Sequence, residues 1–160
     1  MKGFFAVLSF LLLAGCVQPQ PMQYFGGFPE QTYLELPKSG TGTVTGQVFL
    51  RTVGGDVKYG AGSPVLLLQE TDYMQQFYLA WLGNKRAPEI DSRALSAGLK
   101  AQANGSGEFT FTNVPPGDYY VVSQVTWGAP TSYGLSNQGG SIMVRATVAD
   151  DSVTTVMVTK

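Results

Sequence analysis

The sequence predicts an all-β protein, a sandwich of seven strands with one short helical insertion. Three observations point to this fold class. Polar and apolar residues alternate over several short runs, which is the period of a half-buried strand. These runs are separated by stretches rich in glycine and proline, residue types that suit tight turns. A hydrophobic content of 44% is sufficient for a core between two sheets.

The clearest strand signals lie on either side of a Pro-Pro-Gly run at residues 115–117. Phe109 and Phe111 alternate with polar residues before it, so both rings are expected to point into the core. The prolines end this strand because proline fixes φ and gives a ladder no N–H. We expect an exposed turn at this run, with Tyr119 or Val121 opposite the phenylalanines in the next strand.

This hairpin resembles the carboxypeptidase regulatory-like domain, a transthyretin-like or immunoglobulin-like β-sandwich. The resemblance rests on four motifs and covers residues 42–126. They are an Asn-Gly turn at 104–107, a G-x-F-x-F run at 107–111, an Asn-Val-Pro-Pro-Gly turn at 113–117 and an aromatic strand at 119–122. Domains of this family usually accompany other activities rather than perform them. The resemblance therefore implies the fold and a supporting role, with no catalytic residue and no cofactor.

The other strands follow from alternation and from apolar runs. They are predicted at residues 42–51, 64–69, 100–103, 141–148 and 152–158, in addition to the two strands of the hairpin at 108–112 and 118–127. In the first of them, Val44, Val48 and Leu50 share one face with Gly46. The glycine-rich residues 52–63 and the residues 128–140 are expected to be loops.

Residues 71–103 are predicted to hold the helical insertion. Thr71 is a candidate N-cap for a helix that ends near residue 82, and a second short helix is possible near residues 92–98. Aromatic side chains recur at helical spacing in the first helix. They are Tyr73, Phe77, Tyr78 and Trp81. Either this cluster covers an open end of the sandwich, or it is an exposed anchor, because Trp and Tyr are frequent hot-spot residues.

The N-terminus has the features of a secretory signal. Lys2 precedes a short apolar run that ends in Leu-Ala-Gly-Cys at residues 13–16, and this run is too short to span a membrane. The ending is similar to the lipobox of bacterial lipoproteins, which are cut just before the cysteine. The resemblance implies that residues 1–15 are a signal peptide and that Cys16 carries the lipid, with fatty acyl chains such as palmitate. The alternative is an ordinary signal peptide with a chance cysteine.

The mature chain is predicted to consist of a tether at residues 16–41 and a β-sandwich domain at residues 42–160. Two aromatic pieces of the tether, at residues 24–28 and 33–36, either pack back on the sandwich or bind a partner. We expect the second piece to pack back. Residue 17 is Val and not Asp, which in the enteric sorting rule implies the outer membrane, facing the periplasm.

Composition excludes several function classes. The chain has no histidine and one cysteine, so Ser-His-Asp and Cys-His catalysis and a disulfide within the chain are excluded. Its net charge is −1 without a basic patch, so nucleic acid is not an expected partner, and no metal site is apparent. An enzyme would have to use carboxylates, which are more simply interpreted as solvated residues. The candidates are Glu70, Asp72, Glu108 and Asp118.

The sequence therefore predicts a membrane-anchored, non-catalytic lipoprotein whose β-sandwich mediates protein interaction in the bacterial cell envelope. One alternative is a glycan- or peptidoglycan-binding module that stacks sugars on Trp81, Trp127 and Tyr133. Another is an accessory lipoprotein of a secretion apparatus, since type VI secretion also uses a lipoprotein of transthyretin-like fold. Partner contacts are expected from the helical insertion and from residues 128–140. The candidate interaction residues are Tyr78, Trp81, Trp127 and Tyr133.

Overall fold

The protein is a β-sandwich of two four-stranded sheets, as the sequence predicts. The computed structural model describes residues 26–85 and 87–160. Cys16, the signal and the first part of the tether lie outside these residues. In chain order, the elements are α1 Glu30–Glu35, β1 Gly42–Arg51, β2 Val57–Tyr59, β3 Pro64–Gln69, α2 Asp72–Leu82, α3 Ser92–Ala97, β4 Leu99–Gln102, β5 Glu108–Val114, β6 Gly117–Thr131, β7 Gly134–Val148 and β8 Val153–Val158. None of the helices in this part of the chain has the length and apolarity to cross a membrane.

The two sheets are organised around β1 and around β3 with β6. In the first sheet, β1 pairs antiparallel with β5 and β2 and parallel with β8. In the second sheet, the order is β4-β3-β6-β7 and every pair is antiparallel. The sequence analysis missed β2, which has three residues and lies in the glycine-rich stretch expected to be a loop. Eight strands rather than seven are therefore present in the described chain.

The main core lies between the inner faces of the two sheets. Val44 and Val48 of β1 are fully buried, and Phe109 and Phe111 are each 5% exposed, which confirms the predicted inward faces. The two rings pack 5.7 Å apart, close to edge-to-face. Position 46 of β1 leaves no room for a side chain, because the Phe109 ring lies across Gly46. A Cβ there would stand 2.6 Å from Phe109 Cζ.

A second apolar cluster covers the outer face of the second sheet. Leu68, Tyr120 and Met143 point outward from β3, β6 and β7, where α2 and α3 bury them. The sequence predicts α2 and allows the second helix, α3. Thr71 caps α2, since its hydroxyl accepts a hydrogen bond from the Met74 N–H at 3.2 Å. The aromatic residues of α2 thus cover a sheet face and not an open end of the sandwich. Both faces of this second sheet are apolar, so both must be shielded from water: the inner face by the first sheet and the outer face by the helices.

Residues 128–140 form strands and not the predicted loop. They are the outer parts of β6 and β7, which pair as far as Thr131 and Gly134 and turn at Ser132 and Tyr133. The prediction was wrong because it required apolar alternation. A ribbon that is exposed on both faces has no buried face to impose that alternation.

The Pro-Pro-Gly turn is only partly exposed. Pro116 is exposed as predicted, whereas Pro115 is buried. Tyr119 explains the difference, because its hydroxyl donates a 2.8 Å hydrogen bond to the Pro115 carbonyl. The chain before β1 also packs here, and a Cβ on Gly40 would clash with Pro115 Cα.

Candidate functional site

A cleft of about 600 Å³ lies between α1, α3 and one end of the sandwich, and we call it the N-terminal cleft. Its floor is formed by Leu67, Tyr119 and Pro115, and its walls come from the two helices and the chain that follows α1. The lining is mostly apolar, with polar groups at a few positions. These polar residues are Glu30, Lys38, Gln69, Arg93 and Ser96.

The floor of the cleft is held by the Tyr119 side chain. Tyr119 is 3% exposed, and its hydroxyl ties the start of β6 back to Pro115, four residues earlier. Burial raises the pKa of this hydroxyl to about 12, so it stays protonated and remains a donor at neutral pH. The floor is therefore a fixed surface, shaped by a hydrogen bond of the kind known as a tyrosine corner.

One wall is built on α3 and its cap. The Asp91 side chain accepts a hydrogen bond from the Arg93 N–H at 2.9 Å, which starts the helix. Hydrogen bonds from the Arg93 side chain and backbone lower the pKa of Asp91 to about 2. The Arg93 guanidinium also lies 4.2 Å from the centre of the Phe28 ring and 3.7 Å from the Glu30 carboxylate. Arg93 thus connects α3 to residues 28–36, which we call the N-terminal segment.

The opposite wall is the N-terminal segment itself, which packs on the sandwich. The Phe28 and Tyr33 rings are 4.7 Å apart, and both contact Tyr73 of α2 edge-on. The Tyr33 hydroxyl lies 3.2 Å from the Thr71 hydroxyl, within hydrogen-bonding distance. This arrangement confirms that the aromatic piece at residues 33–36 packs back, because its Tyr33 is half-buried here.

The N-terminal cleft has the composition of a binding site. A mostly apolar concave surface with a few polar groups at its edge is typical of ligand sites. Three polar side chains of the lining, Lys38, Gln69 and Ser96, form no ion pair or side-chain hydrogen bond within residues 26–85 and 87–160, so they are open to a ligand. Within residues 26–85 and 87–160, no three His, Cys, Asp or Glu side chains are placed to hold a metal ion.

The four candidate carboxylates do not line this cleft. Glu70 is ion-paired with Arg145, with its oxygen 3.1 Å from Arg145 Nε. Asp118 accepts a hydrogen bond from the Thr147 hydroxyl. Glu108 accepts one from the Asn104 side-chain amide. Asp72 is exposed in the first turn of α2. Each therefore has a structural or solvated setting.

Two of the predicted interaction residues lie side by side on α2. Trp81 is half-buried against both apolar clusters, and its indole N–H donates a 3.1 Å hydrogen bond to the Ser141 carbonyl. The Tyr78 ring stacks with the Trp81 ring at 6.2 Å and packs against the Tyr120 ring at 4.8 Å with a tilt of 32°. Both side chains contribute to the packing of α2 on its sheet, and each keeps one exposed side.

The other two predicted interaction residues lie on the β6–β7 hairpin. Trp127 is half-buried against the main core and covers Gly139, where a Cβ would stand 2.8 Å from Trp127 Cζ3. Tyr133 is fully exposed in the turn. The structure does not bring the four residues together, and their role in binding stays a prediction.

Sequence reasoning did not identify the cleft residues. Phe28, Lys38, Gln69 and Arg93 are distant in sequence and meet only because α1 and α3 approach the same end of the sandwich. The available signal was the aromatic character of the tether, which marked residues 24–28 and 33–36 as more than a linker. Lys38 and Gln69 carried no signal.

Comparison with known proteins supports the fold. No family model and no curated protein matches the chain. A crystal structure of a Pseudomonas aeruginosa protein, provisionally described as a carbohydrate binding protein, matches with a TM-score of 0.73 and 26% identity. The match covers 84% of this chain and 99% of that one. A minor pilin of Streptococcus agalactiae matches with a TM-score of 0.39 and 16% identity, over 76% of this chain and 44% of that one, too weakly to carry an argument. The chain thus shares its β-sandwich with the Pseudomonas protein, whereas membership of the carboxypeptidase regulatory-like family is not established.

Proposed function

We propose that the protein is a non-catalytic binding module that is held at the envelope membrane by a lipid on Cys16 and binds another envelope protein. The N-terminal cleft is the observation that carries this proposal. It offers an apolar floor and three unpaired polar side chains, Lys38, Gln69 and Ser96. Its titratable side chains include no pair of carboxylates free to act as acid and base, since Glu30 faces Arg93.

Site-specific photocrosslinking in intact cells tests the binding role. A photoreactive residue at Ser96, an exposed position in the wall of the cleft, should give a discrete adduct with the partner. The matched control is Thr112, which is exposed on β5 and does not line the cleft. The same adducts from both positions, or none from Ser96, would contradict the proposal.

Metabolic labelling tests the anchor. A clickable fatty acid should label the wild-type protein, and Cys16→Ser should abolish the label and release the protein from the membrane fraction. The proposed outer-membrane location follows from Val17, so Val17→Asp should move the protein towards the inner membrane. A Cys16→Ser protein that still carries the label would rule out Cys16 as the lipid site.

Glycan binding is a second candidate, and the Pseudomonas protein favours it. That protein has 26% identity to this chain and has been described provisionally as a carbohydrate binding protein. The cleft has the required chemistry, because the aromatic Phe28 and Tyr33 line it beside the amide of Gln69. Titration with soluble peptidoglycan fragments, followed by amide NMR shifts, distinguishes the candidates. Saturable shifts around the cleft that Gln69→Ala weakens would favour the glycan.

A further inference from the structure

Strands β6 and β7 continue beyond the sheet as a two-stranded ribbon, residues 128–140. Pairing between β3 and β6 ends at Ser123, whereas pairing between β6 and β7 continues to Thr131 and Gly134. At about 3.3 Å per residue, the tip of the ribbon lies roughly 26 Å past the last pair with β3. No third strand pairs with it in the part of the chain that the structure describes.

The ribbon carries no charge. No Asp, Glu, Lys or Arg occurs between Asp118 and Arg145, and the ribbon consists of Gly, Ser, Thr, Asn and Gln with a few apolar residues. At its tip, Tyr133 is fully exposed and Leu135 is 79% exposed. Tyr together with Ser, Gly and Asn is the composition of surfaces that recognise other molecules, because a rigid aromatic ring supplies area and small polar groups adapt.

One edge of this ribbon lacks the usual protection against strand pairing. Proteins protect free edges with charged residues or proline, and β6 has Pro130 in its outer part. The outer part of β7 has neither at residues 135–138, a stretch flanked by Gly134 and Gly139, whose φ angles are positive. A lone two-stranded ribbon is also marginally stable in water, so a further strand on this edge would stabilise it.

We propose that the free edge of β7 in the ribbon pairs antiparallel with the same edge of a second copy of this chain. A second copy fits because two uncharged edges meet without like-charge repulsion, which a symmetric contact would otherwise double. Tyr133 and Leu135 of each copy then cover the joint. The ribbon lies at the far end of β6 from Tyr119 and the N-terminal cleft, so the contact leaves the cleft open.

Introducing a charge at Asn137, an exposed residue of this edge, tests the proposal. The full chain with Cys16→Ser is followed by sedimentation velocity as the concentration rises, and we expect a reversible dimer. Asn137→Asp and Asn137→Lys should each weaken dimerisation about tenfold, because each places like charges across the joint. An equimolar mixture of the two variants should restore the dimer.

Control variants carry the same charges at Thr112, which is exposed on the first sheet, and should dimerise like wild type. Melting temperatures establish that the Asn137 variants remain folded. A wild-type chain that stays monomeric at millimolar concentration overturns the proposal. So does a dimer that both Asn137 variants leave unchanged, or a mixture that fails to associate.

Discussion

At the scale of single residues, the neighbours Tyr119 and Tyr120 are both buried but differ in the hydrogen bonding of their hydroxyl groups. Both side chains are buried, at 3% and 0% exposed, on opposite faces of β6. The Tyr119 hydroxyl donates to the Pro115 carbonyl. The Tyr120 hydroxyl is buried near Glu70 without a hydrogen bond of normal geometry. Removing each hydroxyl should therefore have different consequences.

Tyr119→Phe should lower the free energy of unfolding by about 1–2 kcal/mol, because it leaves the Pro115 carbonyl at the cleft floor without its donor. Tyr120→Phe should be neutral or slightly stabilising, because it removes a buried polar group that has no partner. Urea unfolding of the two variants measures both values. Equal losses of stability would show that the Tyr120 hydroxyl also makes a bond.

Substitution of Phe111 tests the packing of the main core. Phe111→Ala should destabilise the protein by about 3–5 kcal/mol, because the side chain is 5% exposed and packs against the Phe109 ring. The neighbouring Thr110 is exposed, so Thr110→Ala should change stability by less than about 0.5 kcal/mol. Thermal melts of both variants compare the two faces of β5. Similar melting temperatures would contradict the inward placement of Phe111.

At the scale of elements, Thr71 connects two helices. Its hydroxyl caps α2 through the Met74 N–H and lies 3.2 Å from the hydroxyl of Tyr33, a residue of α1. Thr71→Ala should cost about 0.5–2 kcal/mol, the usual range for an N-cap. Thr71→Ser keeps the hydroxyl and should retain most of the stability. Measurement by denaturant unfolding, with amide exchange of residues 28–36, would show whether the N-terminal segment loosens with the cap.

Trp81 shows how α2 is attached to its sheet. Trp81→Ala should lower the melting temperature, because the ring packs against both apolar clusters and its N–H bonds to Ser141. Tyr133→Ala is the matched control at a fully exposed aromatic residue and should melt like wild type. A Trp81→Ala protein of unchanged stability would favour the alternative that Trp81 is an interaction anchor.

At the scale of the whole molecule, the tyrosines that burial affects should make the protein less stable at alkaline pH. Burial raises the pKa of Tyr33 and of Tyr120, and it raises the pKa of Tyr119 to about 12. An unfolded tyrosine titrates near 10, so above that pH the unfolded chain loses protons that the folded chain keeps. The contribution of these tyrosines to stability should therefore be constant below about pH 10 and fall as the pH rises towards 12. Urea midpoints between pH 8 and 12 measure this, and Tyr119→Phe should make the fall shallower.

Some elements were predicted from the sequence and others were not, and the difference has physical reasons. Strands β1, β3 and β5 were predicted because each has a buried face, which imposes a pattern on the sequence. The α2 helix was predicted with its cap because an N-cap hydroxyl and helical spacing are local signals. The outer ends of β6 and β7 were mistaken for a loop because a ribbon exposed on both faces imposes no such pattern.

The sequence by itself determined the all-β class, the inward direction of Phe109 and Phe111, and the capped helix α2 that follows β3. Local periodicity and capping decide these features, and both are written within a few adjacent residues. Only the tertiary structure decided that the helices cover an outer sheet face, that Lys38 and Gln69 border one cleft, and that an uncharged ribbon projects from the sandwich. These features depend on which distant segments meet, and the energy that brings them together is apolar burial, which has no direction of its own.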